Sequence, residues 1–257
     1  MSTPPEPIQC QVLRECDRVR HGFFTRRGGV SSGIFSSLNC GHASGDEDAD
    51  VARNRARVAR ALGAEPDNLI TAYQSHGNKV ALVTTPWARG GEPRVDGMVT
   101  DRPGIALGIL AADCGPVLFA DESAGVIGVA HAGWRGALSG IIEASVEAMV
   151  ALGAETHRIA AALGPCIGPK SYEVGPEFRE RFTGNEAFFQ PATRENHYLF
   201  DLPAYIEARL RGLGLASVEI LAADTRPENS DFFSYRRACL NGEPDYGRNL
   251  SAIVLER

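Results

Sequence analysis

Three apolar runs of this chain end at, or just before, a side chain that binds soft metal ions. NLITAYQSH ends at His76, GIALGILAADC ends at Cys114, and GVIGVAHAGWRG carries His131 just past its apolar part. Strands that end at such residues can bring their last side chains to one point of a fold. Two imidazoles and one thiolate can hold zinc with one position left open, which is typical of catalytic rather than structural zinc sites. We therefore predict that His76, Cys114 and His131 are metal ligands and catalytic residues.

The composition narrows the class of protein. A chain of 257 residues forms one large domain or two small ones, and it can bury a sizeable core. The formal net charge of −6 argues against a general nucleic-acid binder. The N-terminus lacks the features of a secretory signal, and no apolar run is long enough to cross a membrane, so we expect a cytoplasmic protein with no membrane partner. The six cysteines are scattered without a CxxC, which predicts reduced thiols and argues against a closed four-cysteine zinc site.

Strand-like and helix-like segments alternate along the chain. Short runs rich in Ile, Leu and Val, bounded by turn residues, are typical of buried strands. The predicted strands are 105–112, 117–120, 126–130, 159–163 and 218–223. The predicted helices are 51–62, 137–152 and the segment from an N-cap at Asp201 to about 211. No low-complexity linker divides the chain, so one α/β domain with mixed sheets is the most economical interpretation.

The turn HAGWRG, residues 131–136, has the features of an anion site. Its two glycines would let backbone N–H groups approach a ligand, and the N-terminus of the helix predicted to follow favours a negative charge. Arg135 adds a fixed positive charge with bidentate geometry. Trp134 either stacks on an aromatic ligand or fills the core. We predict that Arg135 contacts substrate, most simply a phosphate.

Other candidate residues lie in further turns. Gln74 begins the polar turn that carries His76, and Arg236 follows the aromatic segment FFSY, so both are predicted to bind substrate. Asp113 either shapes the turn before Cys114 or orients a neighbouring ligand. Cys166, in the elbow GPCIGP, is a structural turn residue in our preferred interpretation and a nucleophile or ligand in the alternative.

The predicted ligand set leaves the chemistry open at this point. Two histidines and one cysteine suit zinc, or copper with a weak axial ligand such as Met98 or Met149. They also suit a nucleophile pair without metal, in which Cys114 attacks and His131 acts as the base.

Seven segments of the chain form an ordered set of motifs. They are HGFFTRRGGVS at 21–31, QSHG at 74–77, ADCGP at 112–116, HAGWRG at 131–136, GPCIG at 164–168, SYRR at 234–237 and GR at 247–248. This set resembles the YfiH-like family, also called the laccase-domain or multicopper polyphenol oxidoreductase family. The resemblance runs from about residue 20 to the C-terminus, and the block HAGWRG is its most specific part.

The resemblance implies a single domain over 1–257, with 1–19 as an N-terminal extension. It implies a four-layer αββα sandwich similar to cysteine-hydrolase folds, and zinc at His76, Cys114 and His131. It also implies phosphorolysis of adenosine, inosine and methylthioadenosine with phosphate, together with adenosine deamination. Many members carry a Cys-Thr pair before the SYRR-like segment where this chain has Asp224-Thr225. Because this chain has no cysteine at position 224, any role of the thiol found there in other members is in doubt here. The predicted metal ligands are not affected.

Polyphenol oxidation and an editing role in peptidoglycan-precursor synthesis are also attributed to the family. A laccase needs several coppers and many paired histidines, whereas this chain has six histidines and no His-x-His. Only a single copper in the zinc position is therefore compatible with the sequence. A non-enzymatic interaction module is the remaining alternative, and the ligand-type residues concentrated in glycine-rich turns argue against it.

Overall fold

The computed structural model describes residues 4–221 and 223–256 and shows a mixed α/β protein with three sheets. The strands are β1 Pro7–Ile8, β2 Val19–Phe24, β3 Leu69–Ile70, β4 Val80–Leu82, β5 Gly97–Thr100, β6 Ala106–Ala111, β7 Gly115–Asp121, β8 Val126–Ala132, β9 Ala160–Leu163, β10 Glu173–Val174, β11 Phe189–Pro191, β12 Tyr198–Phe200, β13 Ser217–Ile220 and β14 Asn249–Leu255. The α-helices are α1 Gln11–Arg14, α2 Asp48–Ala61, α3 Trp134–Ser139, α4 Ile141–Ala151, α5 Pro176–Arg179, α6 Leu202–Gly212 and α7 Tyr235–Asn241. Short 3₁₀ turns cover Gly33–Phe35, Pro66–Asn68, Thr156–Arg158, Glu180–Phe182 and Glu186–Phe188.

Two large mixed sheets form the centre of the protein. The first has the strand order β1-β2-β14-β6-β3, and the second has the order β13-β9-β7-β8-β5-β4. Three pairs are parallel, namely β3 with β6, β4 with β5 and β13 with β9, and the other pairs of these sheets are antiparallel. The predicted α/β class with mixed sheets is confirmed. A third, antiparallel sheet of β10, β12 and β11 was not predicted.

The core divides into three apolar clusters that follow the two large sheets. One cluster joins Leu107 and Ile109 of the first sheet to Leu118 and Val129 of the second, so the sheets pack face to face. A second cluster packs α4 and α6 against the outer face of the six-stranded sheet, and a third packs α2 against the five-stranded sheet. Strands enclosed on both faces need apolar side chains throughout, which explains their unbroken hydrophobic runs. The relation to cysteine hydrolases stays a prediction.

The predicted helices differ from the observed ones at Gly140 and at the start of α2. The segment 137–152 is two helices, α3 and α4, because Gly140 adopts φ of 91° between them. A left-handed residue ends α3, and helical periodicity alone does not register such a break. The Asp201 cap is confirmed, since its carboxylate accepts a hydrogen bond from the Ala204 N–H at 2.9 Å. Helix α2 begins three residues earlier than predicted, at Asp48.

The strand predictions are confirmed near the middle of the chain and wrong near His76. The run predicted to end at His76 is a strand only at Leu69–Ile70, and His131 lies inside β8 rather than beyond it. The predicted strand 218–223 ends at Ile220, and residue 222 lies outside the described residues. In the described part of the segment 1–19, β1 pairs with β2 and Leu13 is buried, so this part packs on the core. The assignment of the chain to a single domain stays a prediction. Among the described helices, none is long and apolar enough to cross a membrane.

A buried histidine makes the stability of this fold depend on pH. His21 of β2 accepts a hydrogen bond from the Cys10 N–H at 2.9 Å, and its Nδ1 is buried without a partner in the described chain. Burial lowers the pKa of His21 from 6.5 to about 4, while the Glu219 carboxylate opposes and Arg14 assists this shift. The unfolded chain therefore binds a proton at a higher pH than the folded chain does.

We predict that the free energy of unfolding decreases as the pH falls from about 6.5 towards about 4. Between about pH 7 and about pH 5, this group should cost the folded state about 2 kcal/mol. Urea unfolding of the wild type and of His21→Gln at both pH values measures the effect, since Gln retains an acceptor for the Cys10 N–H. An equal pH dependence in the two proteins would contradict the prediction.

Candidate metal centre

The three predicted ligands come together in the structure. One ligand atom from each of His76, Cys114 and His131 lies within 4.8 Å of the other two. The two imidazole rings stand edge to face with centroids 4.9 Å apart. This separation allows three side chains to converge on one ion with small rotations, and the donor set of two nitrogens and one sulfur suits zinc.

The strand pairing explains why Cys114 and His131 meet. The three residues 112–114 carry the chain from β6 in the first sheet to β7 in the second. Gly115, the first residue of β7, pairs with Ala132, so Cys114 lies beside the end of β8. A Cβ atom on Gly133 would lie 2.7 Å from Cys114 Sγ, which is too close for any other residue type. Gly133 therefore provides the space that the thiol occupies.

Asp96 holds the two histidines in place. Its carboxylate accepts a hydrogen bond from His131 Nδ1 at 2.9 Å, and the backbone N–H groups of Ser75, His76 and Gly77 donate to it at 3.1, 2.8 and 2.7 Å. This turn gives His76 a φ of 62°, which is uncommon for a residue with a side chain. A polar turn wrapped around a buried carboxylate thus replaces the strand predicted before His76.

Asp96 is not among the predicted site residues, although strand register reveals it. Asp96 directly precedes β5, and Gly97 of β5 pairs with Ala130 of β8. This antiparallel register places Asp96 across from His131. The backbone makes the same connection, because the His131 N–H donates to the Asp96 carbonyl at 2.7 Å. No local motif marks Asp96, so only the pairing of β5 with β8 could have identified it.

Asp113 shapes the turn before Cys114 and does not orient an imidazole. It has φ of 86°, and its carboxylate accepts hydrogen bonds from Thr225 Oγ1 and from the Arg236 N–H, each at 2.6 Å. The first of the two roles considered for Asp113 is therefore confirmed. These contacts tie the Cys114 turn to the start of α7, which also defines a function for the segment SYRR.

The electrostatics favour a thiolate at Cys114. Burial raises the pKa of the thiol, but the neighbouring His131 and His76 outweigh burial and lower that pKa to about 6. Burial likewise lowers the pKa of His131, and the Cys114 charge with Asp96 raises it to about 9. The pKa of Asp96 falls to about 2 because the His131 imidazole and the turn's N–H groups outweigh its burial. An ionised Asp96 accepts the Nδ1 proton, which leaves Nε2 of His131 to face the site.

The site opens into a cavity of about 490 Å³. His76, Cys114 and His131 line it together with Gln74. Both amide atoms of Gln74 are engaged with Leu110, since Nε2 donates to the carbonyl at 2.7 Å and Oε1 accepts from the N–H at 2.9 Å. This volume lies within the range of small-molecule sites. The assignment of Gln74 to substrate stays a prediction, and the structure shows it holding β6 at the cavity wall.

Arg135 and Arg236 are not among the residues that line this cavity. Arg135 is exposed on α3 and lies 5.0 Å from the centroid of the Trp134 ring. Trp134 packs against Phe178 in the aromatic cluster under the small sheet. Arg236 donates to the Glu173 carbonyl at 2.9 Å and lies over the Tyr172 ring. Their predicted substrate contacts stay predictions.

Cys166 and Asp224 belong to one structural elbow. Cys166 is buried, and burial raises the pKa of its thiol, which leaves it poorly suited as a nucleophile. Asp224 accepts hydrogen bonds from the Gly168 N–H at 3.0 Å and from Ser171 Oγ at 2.6 Å. The carboxylate at this position thus ties the GPCIG elbow to the segment before α7, in agreement with the structural interpretation.

The other four histidines do not extend the ligand set. His21 is buried in β2, where it accepts the hydrogen bond from the Cys10 N–H. His42 lies 3.4 Å from Asp48, His157 is near Glu155, and His197 contacts the Glu195 carbonyl. Within the part of the chain that the structure describes, His76, Cys114 and His131 are the one group of three or more His, Cys, Asp or Glu residues that could hold a metal. The described residues therefore do not form the multinuclear copper centre of a laccase.

Comparison with known proteins places this site in a family context. The family profile "Multi-copper polyphenol oxidoreductase laccase" matches residues 20–256. The chain is 44% identical over 231 residues to "Purine nucleoside phosphorylase ORF3" of Streptomyces griseus, an alignment that covers 90% of this chain and 94% of that protein. It is 41% identical over 219 residues to "Purine nucleoside phosphorylase" of Deinococcus radiodurans, with 85% and 84% covered.

Solved structures agree with the sequence comparison. The hypothetical protein YfiH of Bacillus licheniformis is 32% identical, with a TM-score of 0.86 over 94% of each chain. YlmD of Geobacillus stearothermophilus is 30% identical, with a TM-score of 0.86 over 100% of this chain and 98% of the other. The profile match, the identities and the shared fold together show that this chain belongs to the multi-copper polyphenol oxidoreductase laccase family, the YfiH-like family.

Proposed function

We propose that this protein is a zinc-dependent purine nucleoside phosphorylase that acts on adenosine, inosine and methylthioadenosine. The observation that carries the proposal is the convergence of His76, Cys114 and His131 at a cavity large enough for a nucleoside. Relatives that are 41–44% identical to this chain are named purine nucleoside phosphorylases, which supports the same conclusion. Adenosine deamination at the same site is part of the proposal, as the family resemblance implies. Its substrates are purine nucleosides and phosphate.

The three proposed ligands fit zinc better than a hard cation. A thiolate and two imidazoles are borderline-soft donors, and the low pKa of Cys114 means that the thiol gives up its proton readily. Asp96 fixes the tautomer and orientation of His131, as carboxylates commonly do for metal-binding histidines. Zinc bound by these residues would supply a Lewis acid next to the cavity. Of the three side chains that would hold it, His131 is buried, Cys114 is partly buried and His76 is exposed at the cavity.

Phosphorolysis exchanges one bond at the ribose for another. A phosphate oxygen forms a bond to C1′ of the nucleoside while the bond from C1′ to the purine nitrogen breaks. The bonding electron pair leaves with the purine, which takes up the proton released by hydrogen phosphate, and ribose 1-phosphate is the second product. In deamination, water adds at C6 of adenosine and the amino group leaves as ammonia. The protein must orient the nucleoside and exclude competing water from C1′.

Two alternatives use the same residues differently. Without metal, the Cys114 thiolate and His131, oriented by Asp96, have the arrangement of a nucleophile, a base and an orienting carboxylate. With copper in place of zinc, the site would be a mononuclear centre that oxidises phenols slowly. An editing role in peptidoglycan-precursor synthesis remains a third alternative. Metal content and reaction products separate these cases.

The first prediction concerns zinc binding. Cys114→Ala should abolish stoichiometric zinc while the fold persists, because the large core does not depend on the metal. Cys166→Ala, a matched change of another cysteine at a strand-to-loop elbow, should keep the zinc. Asp96→Asn should weaken zinc affinity about 10- to 100-fold, since it removes the acceptor that orients His131. Elemental analysis and chelator competition measure these effects, and full zinc content in Cys114→Ala would refute the ligand assignment.

The second prediction concerns the co-substrate. The zinc-loaded protein should release free base from adenosine or inosine only when phosphate is present, with ribose 1-phosphate formed in equal amount. Separation of the products by chromatography, with and without phosphate, provides the measurement. Cys114→Ala serves as the control for contaminating activity. Base release that is equally fast without phosphate would show that the enzyme is a hydrolase.

The third prediction concerns phenol oxidation. Any oxidation of a phenolic substrate should be slow and should require added copper, because the described histidines provide one mononuclear site. Copper can displace zinc there, since it binds nitrogen and sulfur ligands more tightly in the divalent series. The assay uses zinc-loaded protein in chelator-treated buffer, followed by copper addition. Rapid oxidation with no detectable copper, or three or more tightly bound coppers per chain, would contradict this view.

A further inference from the structure

One part of the cavity wall is rich in positive charge. Three guanidinium groups, those of Arg55, Arg89 and Arg248, line the cavity that also contains His76, Cys114 and His131. Glu92 is the one carboxylate among the lining residues, and it accepts a hydrogen bond from the Gly90 N–H at 2.7 Å. A cavity with this excess of cations attracts an anionic ligand.

Arg55 faces the cavity, and among the described residues no carboxylate contacts its guanidinium, although the charge of Glu92 acts on it from a longer distance. Its guanidinium donates to the carbonyls of Cys40 and Leu69, each at 3.3 Å, and to Thr71 Oγ1 at 3.2 Å. All three acceptors are neutral, and no carboxylate within residues 4–221 and 223–256 lies within 4.0 Å of its nitrogens. A partly buried guanidinium whose contacts are all neutral is stabilised by a ligand that brings the opposite charge. Arginine also keeps its proton under these conditions.

Arg248 reaches the cavity through a gap made by a glycine. A Cβ atom on Gly41 would lie 2.4 Å from Arg248 Cδ, so only glycine lets the side chain pass. One edge of its guanidinium is held by the Tyr246 carbonyl at 2.7 Å and by Asp245 at 3.3 Å, and the Tyr246 ring lies 4.2 Å below it. The fold therefore positions this guanidinium at the cavity. Its remaining N–H groups have no partner within the described residues.

Arg89 belongs to the rim of the cavity rather than to its preformed part. It is more than half exposed and pairs with Asp48 at 2.8 Å, so its charge is already partly neutralised. His42, the neighbouring lining residue, contacts the same carboxylate at 3.4 Å. These two side chains can adjust to a ligand, whereas Arg55 and Arg248 are fixed by the backbone around them.

We propose that inorganic phosphate, the co-substrate of the proposed phosphorolysis, binds to Arg55 and Arg248 in this cavity, with Arg89 and His42 at its rim. This inference rests on the proposed function. It places the phosphate in the same cavity as the proposed zinc ligands rather than at the HAGWRG turn predicted from the sequence. A guanidinium group suits an oxyanion because it can donate two parallel hydrogen bonds. The acceptors around Arg55 are neutral, and Arg248 is paired with Asp245 along one edge only. Arg135, by contrast, lies on the exposed side of α3, outside the cavity lining.

The test measures phosphate and nucleoside separately. Titration calorimetry with inorganic phosphate and the zinc-loaded full chain gives Kd, and steady-state assays give KM for phosphate and for inosine. Arg55→Lys and Arg248→Gln should each raise the Kd for phosphate about 10- to 100-fold, because each loses a charged hydrogen-bonding contact. KM for inosine should change much less. Arg55→Lys keeps the buried positive charge, and circular dichroism with thermal unfolding checks that each variant is folded.

Three further variants sharpen the result. Gly41→Ala should raise the phosphate Kd like Arg248→Gln, because its new methyl group displaces the Arg248 side chain without removing any charge. Arg102→Gln is the matched control for loss of an arginine, since Arg102 is exposed and, among the described residues, pairs with the adjacent Asp101 alone. It should bind phosphate like the wild type. Arg135→Gln should also keep the wild-type phosphate Kd.

The outcomes separate this inference from the proposed function. If base release requires phosphate but folded Arg55→Lys and Arg248→Gln keep the wild-type Kd and KM for phosphate, the site is wrong and the function stands. If Arg135→Gln alone raises the Kd for phosphate, phosphate binds at the HAGWRG turn, and the site at Arg55 and Arg248 is wrong. If the wild type binds phosphate and the two variants do not, but the wild type releases no base, the anion site stands and the phosphorylase proposal fails. Absence of phosphate binding by the wild type overturns the site directly.

Discussion

A single buried carboxylate organises the proposed metal centre. Asp96 is 1% exposed, and it accepts one hydrogen bond from an imidazole and three from backbone N–H groups of the Ser75–Gly77 turn. A buried charge is tolerated only when it is paired and hydrogen-bonded in this way. Because these partners include both His131 and the turn that carries His76, the cost of burying Asp96 and the geometry of the two histidines are linked. The third ligand, Cys114, lies beside them because β7 pairs with β8.

Cys114, one of the three proposed metal ligands, lies where the chain crosses from one large sheet to the other. The three residues before β7 carry the backbone from one sheet to the other, and Cys114 is the last of them. Such crossings need irregular backbone, as the φ of 86° at Asp113 illustrates, and their polar groups require partners. Thr225 and the start of α7 provide those partners. The segment SYRR therefore supports the turn that holds Cys114, because the Arg236 N–H donates to the Asp113 carboxylate.

The family name and the observed site point to different chemistry. The family profile is described as a multi-copper laccase, whereas the described residues offer one mononuclear ligand set. Two relatives are named purine nucleoside phosphorylases, and the size of the cavity and its three arginines are compatible with a nucleoside and a phosphate as ligands. Multi-copper oxidation and nucleoside chemistry need different numbers of metal ligands. The number of ligands that the fold gathers at one point is therefore the physical quantity that distinguishes them.

The sequence by itself determined the α/β class, the buried strands of the centre, the Asp201 helix cap and the identity of the three proposed ligands. These features are local, because hydrophobic runs, cap residues and ligand side chains leave marks within a few positions of the chain. It did not reveal the break at Gly140, the short extent of β3, the third sheet or Asp96. The break at Gly140 is a local left-handed conformation that hydrophobic periodicity does not mark, whereas the other three features depend on which distant segments pair. Asp96 faces His131 only because β5 pairs with β8, and Arg55, Arg248 and His76 share a cavity only after the sheets have packed, so tertiary structure alone decided the surroundings of the site.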